Sequence, residues 1–337
     1  MSKILSTNLW MRLAAVLIVS FSIVPYGSAA DKVVMNLGWS TSVDSEWGAL
    51  AKKFKELAHE YTSGSVDVKL RCCSQIGGED SAFNSLKLGV IDAYIITQNN
   101  ISPHWSLMDV FVLPYVFESA DHAKQVFEGE IGKEVAKSLY KDTNVHLLTY
   151  GGVMYRDLFN SKHAINSIED MDGLKIRVPK NSVMIDTFRA FGAEPVPLAW
   201  SETPTALQTR TIDGGDNGTS VIRDVKFYEF AKYLTVLDHF MAVAPLFASD
   251  RFMSKLDDDQ REAVLRAARE AGAYQAEVMA ANREDVRTWL VTKGGMEITR
   301  PDRADFITAV LPLHKKIVAE RGKEFQDLLS DIKSVVK

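Results

Sequence analysis

The sequence has little that would place it among the commoner catalytic or nucleic-acid-binding classes. Cysteine occurs only twice in 337 residues, at adjacent positions Cys72 and Cys73, and no metal-ligand spacing accompanies the pair. Neighbouring residues on a strand point to opposite faces, which makes an ordinary disulfide between them awkward. A buried pair at a strand end is the favoured arrangement; free thiols, a strained vicinal bridge and a crosslink between chains stay open. No GxGxxG and no GxxxxGK[ST] occurs, so Gly77-Gly78 ahead of a helical pattern lends little support to a phosphate cradle. No GxSxG or HExxH is present, and the seven histidines are scattered, none within helical reach of another. Ser-x-x-Lys appears at Ser138, Ser330 and Ser334 on helical patterns, without the companion SDN or KTG motifs. Asp213 and Asp216 are close, but in a glycine turn such a pair serves as capping. With no nucleophile and base in view, the chain is expected not to be an enzyme, with no catalytic residue, no metal and no cofactor.

Positive charge is also short. Lys and Arg number 39 against 44 Asp and Glu, a formal charge of −5, which argues against nucleic acid as a partner. Long apolar runs are missing after residue 30. Before it, Lys3 and Arg12 lie ahead of an apolar stretch at 13–24, followed by Ser28-Ala29-Ala30. A basic start, a short apolar stretch and small residues at its end describe a secretory signal peptide, 1–30, cleaved after Ala30. The stretch is shorter than the roughly 20 residues that span a bilayer, which disfavours an uncleaved anchor. Without Lys3 and Arg12 the formal charge becomes −7.

What is present alternates between two periods. Val33, Met35 and Leu37 predict a strand, and Trp47, Leu50, Ala51, Phe54, Leu57, Ala58 and Tyr61 a helix over 45–62 capped by Asp44. Val66, Val68 and Leu70 predict a second strand, and Phe83, Leu86 and Leu88 a helix closed at Gly89. A third strand is expected at 91–97. Strands alternating with helices predict a mostly parallel sheet with covered faces. Trp39, Ser40, Glu79, Thr97, Asn99 and Asn100 each fall just after a predicted strand, on one rim of that sheet. A rim is where polar groups orient a ligand, although the same residues are common in turns.

The second half repeats the pattern. A strand at 145–150 runs into Gly151-Gly152-Val153-Met154-Tyr155-Arg156, and 174–178 forms a strand that Pro179 must end. Arg177 is therefore placed near a carboxyl end, the usual ligand side of an open α/β sheet. A guanidinium there suits two-point binding of a carboxylate, and a solvated Lys/Arg face is the plainer alternative. A helix at 182–191, an extended stretch at 194–197 and a helix at 202–209 follow, then the turn Asp213-Gly214-Gly215-Asp216-Asn217. From 257 to 292 helix formers run without proline, about 50 Å at 1.5 Å per residue. Gly294-Gly295 ends that helix, and Arg300-Pro301-Asp302 starts a last one.

Four segments, GLKIRVP at 173–179, GAEPVPLAW at 192–200, ALQTRTIDGGDN at 206–217 and PYVF at 114–117, lie in the order and spacing of a known family. In them, and in the YRDLFNSKHAINSIEDMDG run, the chain resembles the solute-binding proteins of tripartite ATP-independent periplasmic (TRAP) transporters, DctP-type. The resemblance implies an α/β, two-domain periplasmic-binding-protein fold with an interdomain cleft and a long helix across both domains. Its domains are placed at 31–153 plus 243–282 and at 154–242 plus 283–337. It implies that Arg177 and Asn217 hold a ligand carboxylate. Arg156 best matches a second cleft arginine, with Tyr155 as the alternative, and Trp200 faces the ligand unless it packs beneath the following helix. Trp39 and Trp200 would stack on a sugar face, and Glu79, Asn99, Asn100 and Asp216 would order hydroxyls. Asp216 and Gly215 replace Glu and Gln of the family's DGQEN pattern, and Ser40 and Thr97 stand where sialic-acid binders carry Asn and Glu. A sugar acid or other hydroxylated monocarboxylate is therefore the preferred ligand. The implied partners are a small and a large integral permease subunit; the protein would work as a periplasmic monomer, by hinge closure. A periplasmic receptor that presents a C4-dicarboxylate or keto acid to a membrane sensor would use the same fold.

Overall fold

The period-two runs become strands and the period-3.6 runs helices in a computed structural model that describes residues 32–335. The expected signal peptide, 1–30, lies outside the described residues. In chain order the strands are β1 (Val33–Gly38), β2 (Val66–Arg71), β3 (Ala93–Ile95), β4 (Val145–Thr149), β5 (Met154–Asn160), β6 (Lys175–Val178), β7 (Glu194–Pro197), β8 (Gly214–Asn217), β9 (Tyr233–Ala242), β10 (Leu246–Ser249) and β11 (Glu297–Thr299). They form two sheets, ordered β2-β1-β3-β10-β4 and β11-β9-β5-β8-β6-β7.

Neither sheet is as parallel as expected. In the first, β10 runs antiparallel to both β3 and β4; in the second, β5 runs antiparallel to both β8 and β9. The cause is connectivity. β4 ends where the chain crosses to the second sheet, so β5 begins at the shared rim and must run away from it. β9 crosses back in the same way and forces β10 to reverse. Residues 150–153 and 243–245 are these crossings. Gly151 takes a φ of +74°, and a Cβ on Gly152 would sit 2.9 Å from the Ala276 Cα. The first crossing therefore needs glycine to pass under the long helix.

That helix, Asp258–Thr292, is the third connection. Asp257 caps it by accepting from the Gln260 N–H at 2.8 Å, while Gln260 Oε1 accepts from the Asp257 N–H. Val264, Ala267, Ala268 and Ala271 pack into the first sheet's core, and Val286 and Leu290 into the second's. Small residues allow close approach, and Gly272 lies directly against Thr149.

Local differences from expectation have identifiable causes. Ser45, not Asp44, caps helix Glu46–Tyr61, by accepting from the Gly48 N–H; Asp44 pairs instead with Lys52. The prolines of β7 are tolerated because β7 is an edge strand. The expected single last helix breaks at Gly322, φ +82°, into Ala304–Arg321 and Lys323–Ser334. The first packs on helix Ser182–Ala190, the second on helix Glu130–Thr143 and the turn Ser106–Val112 of the other half. The cysteines are not a buried pair. Both are free; Cys72 is half-buried and Cys73 exposed at φ +60°, because the chain turns out of β2 as the Cys73 N–H donates to the Thr41 carbonyl. Among the described residues no helix is long and apolar enough to cross a membrane, and no group of three or more His, Cys, Asp or Glu could hold a metal ion.

Candidate functional site

The carboxyl ends of β6 and β8 meet those of the first sheet across a cavity lined from both sheets. Arg177 stands at its centre. β6 ends at Pro179, and the Arg177 side chain lies 5% exposed with Nε and Nη2 both donating to the Leu198 carbonyl, at 3.1 and 2.7 Å. The Trp200 ring lies 5.6 Å from the guanidinium carbon. These contacts fix the guanidinium plane and leave Nη1 without a hydrogen-bond partner among the described residues. Burial, and next the like charge of Arg156, pull the Arg177 pKa down to about 10, so the group is still cationic at neutral pH.

Arg156 reaches the cavity from β5. Its Nε donates to Asp216 Oδ2 at 2.6 Å, and its Nη2 to the Asp216 carbonyl and Oδ1 at 2.6 and 3.0 Å. Asp216 was expected to order ligand hydroxyls, and the structure corrects this. Its side chain is fully buried behind Arg156, does not line the cavity, and serves as the arginine's counter-ion. His239 Nε2 approaches the same carboxylate at 3.3 Å, but outside hydrogen-bond alignment. Burial raises the Asp216 pKa, yet Arg156 and then His239 outweigh it and hold the carboxyl well below its ordinary value. Next along β8, Asn217 lines the cavity. Its Oδ1 accepts from the Gly218 N–H at 2.8 Å, which frees the amide hydrogens.

Opposite these cations lies Glu79. Its Oε2 accepts from the Thr97 N–H and hydroxyl, both at 2.7 Å, and from Asn100 Nδ2 at 3.0 Å; Oε1 has no partner among the described residues. Burial raises its pKa against those donors and the Arg177 charge. Asn99 and Asn100 line the same cavity, as do Thr41, Trp47, Pro179 and Val221. Beyond Arg177, Glu79 and Trp200 a second chamber adjoins, bordered by Ser40, Ser74, Ser201, Asp80 and Lys180.

Of the nine expected residues, Arg156, Arg177, Asn217, Trp200, Glu79, Asn99 and Asn100 come together around this cavity. Trp39 does not. It is 0% exposed, packed in the first sheet's core with Nε1 donating to the Ser42 carbonyl, because the pleat turns it inward while Ser40 meets the chamber. Tyr155 points away from the cavity onto Arg283, whose guanidinium lies 3.6 Å from its ring centroid, so the cavity arginine is Arg156. Trp200 combines both roles considered for it: half-buried, edge-on to Phe227 at 5.7 Å, and lining both chambers. Trp47 and Val221 had no signal beyond helical periodicity. His239 had none, since its approach to Asp216 depends on long-range strand pairing.

The sequence profile of the bacterial extracellular solute-binding proteins, family 7, matches residues 37–321. A 2,3-diketo-L-gulonate-binding periplasmic protein of Escherichia coli is 29% identical over 304 residues, 89% of this chain and 92% of that protein. A TRAP periplasmic solute-binding protein of a Polaromonas species, solved with D-erythronate, superimposes with a TM-score of 0.87 at 27% identity, over 91% of this chain and all of the other. The sugar acid binding protein of Advenella mimigardefordensis, in complex with galactonate, gives a TM-score of 0.86 at 27% identity, over 91% of this chain and 99% of the other.

Proposed function

The chain belongs to family 7 of the bacterial extracellular solute-binding proteins, the TRAP type, and from that premise we propose that it captures a sugar acid, or another hydroxylated monocarboxylate, for a membrane permease. One observation carries the proposal: two buried guanidiniums and the Asn217 amide converge on one side of a cavity whose other side is Glu79, Asn99 and Asn100. The cations suit one carboxylate. A second carboxylate would meet Glu79, whereas a hydroxyl can donate to it. The ligands named for the Polaromonas and Advenella proteins, D-erythronate and galactonate, fit that division.

In this proposal the signal peptide 1–30 is removed and the protein works in the periplasm as a monomer, without cofactor or catalysis. It passes its ligand to a permease of a small and a large integral subunit. The closing lobes are 31–153 plus 243–282 and 154–242 plus 283–337, with the terminal helix Lys323–Ser334 strapped back onto the first. Contacts available to a closed form are in place: Asn181 Nδ2 donates across to the Asn99 carbonyl and Asp109 Oδ1, each at 3.2 Å, and Ser220 donates to Glu46 at 2.8 Å. Ligand bridging both sides stabilises that arrangement over an open one.

A thermal-shift screen of aldonates, uronates, C4-dicarboxylates and sialic acid tests the assignment. A sugar acid at 100 times its dissociation constant should add about 2.7 kcal/mol of stability, and mass spectrometry should recover it unchanged. A response confined to C4-dicarboxylates, or a released product, would refute it.

Trp200 gives a second check. Trp200→Ala should weaken binding of that acid about tenfold, and Trp200→Phe should restore most of it. Apo stability should fall by less than the about 3–5 kcal/mol of a fully buried aromatic truncation, because one face of the ring lines the cavity. Calorimetry paired with apo melting reads both; a loss of that full size with unchanged affinity would make Trp200 a packing residue only.

A further inference from the structure

The face of β5 turned away from the cavity is gripped by the long helix. Tyr155 and Asp157 flank Arg156 on the strand and point to that face. Arg287 binds Asp157 through two nitrogens: Nε donates to Oδ2 at 3.1 Å, and Nη2 to Oδ2 and Oδ1 at 2.8 and 3.1 Å. Both side chains are buried, at 7% and 1% exposure. One helical turn earlier, Arg283 covers the Tyr155 ring and donates to Asp238 at 2.9 Å. Asp238 sits at φ +47° in a bulge of β9, where the partner of Arg156 is Phe240 but that of Leu158 is already Thr235. The ladder beside Arg156 is thus interrupted on its β9 side. On its other side Asp157 still pairs with Asn217 of β8, and where the β9 pairing lapses a two-point ion pair from the long helix holds the strand.

We propose that Arg287 is a positioning residue for ligand binding: through Asp157 it fixes the strand segment that presents Arg156 to the cavity. The inference rests on the assignment of Arg156 to an anionic ligand. A guanidinium is effective only in register with the group it binds, and a displacement of about 1 Å can cost about a hundredfold. Because the same helix packs into the first sheet's core through Val264 and Ala268, the strand position behind the ligand is set by an element anchored in both halves.

The test uses galactonate as probe and a double-mutant cycle. Arg287→Met alone strands a buried carboxylate and risks misfolding, so the working variant is Asp157→Asn with Arg287→Met, which removes both charges. With Arg156 intact, this variant should lose about tenfold to a hundredfold in affinity. In the R156K background, where the guanidinium to be positioned is already gone, it should lose less than threefold. Equal losses in both backgrounds, or no loss in either, would overturn the inference. Should the wild-type protein bind no galactonate, a ligand-free readout decides this inference. The Arg156 Nε proton, donated to Asp216 at 2.6 Å, should exchange with water at least about tenfold faster in the double variant by nitrogen-15 NMR if its donor is displaced. An unchanged exchange rate would show that Arg287 does not position it.

Discussion

Arg177→Ala is expected to weaken sugar-acid binding by roughly 30-fold to several thousand-fold, since losing a buried charged partner costs about 2–5 kcal/mol. Arg177→Lys should recover little of it. The guanidinium plane is set by two donations to the single Leu198 carbonyl and by the Trp200 ring, and an ammonium cannot make both donations while still presenting a fork to the ligand. Apo stability should respond differently. Burial and the like charge of Arg156 both disfavour the cation at Arg177, so Arg177→Ala relieves an unfavourable charge even as it loses two hydrogen bonds. The ligand-free variant should therefore melt close to wild type. Titration calorimetry and scanning calorimetry on the same preparations separate the two effects. Lysine binding within a factor of three of arginine would contradict the two-point grip.

Asp216→Ala is expected to act in the opposite sense and to destabilise the ligand-free protein by about 3–5 kcal/mol. It leaves Arg156 as an uncompensated buried charge, and breaking a buried pair from one side has that magnitude. The carboxylate also predicts an acid limb. Its folded-state pKa lies below the ordinary value, so its stabilisation is fully present above the unfolded pKa of about 3.9 and is lost as pH falls from there toward the folded value. Denaturant titrations at a series of pH values should show wild-type stability falling through that window and a flatter profile for Asp216→Ala. Parallel profiles would remove Asp216 from the acid limb.

Arg177 and Asn217 could be placed from sequence because each falls at a strand end: Pro179 stops β6, and the glycine run expected as a turn is β8 itself, ending at Asn217. Such marks locate a rim. They do not show which way each residue on the rim points, and the two errors of placement, Trp39 and Asp216, are both of this kind. Trp39 precedes Ser40 by one position and Asp216 precedes Asn217 by one, and in each pair it is the second that meets a chamber. A one-residue change of face is the natural failure where a strand is leaving its sheet. The reversal of β5 and β10 was hidden for another reason. Apolar spacing reports a strand's period, whereas its direction depends on where the chain has just been. The break at Gly322 was not foreseen, since helical patterns run on both sides of it.

The order of the first sheet fixes when it can form. β4 has one neighbour in that sheet, β10, which also seals the free side of β3. β10 is residues 246–249, and nearly all of the second sheet lies between β4 and β10 in the chain. A polypeptide emerging from its amino end would therefore hold β2-β1-β3 as an unfinished sheet, open at β3 and with β4 unpaired, until more than two-thirds of its length is out. The second sheet can assemble most of its strands from contiguous sequence, lacking only β11. Folding should then be slow and late, as non-local pairing dictates.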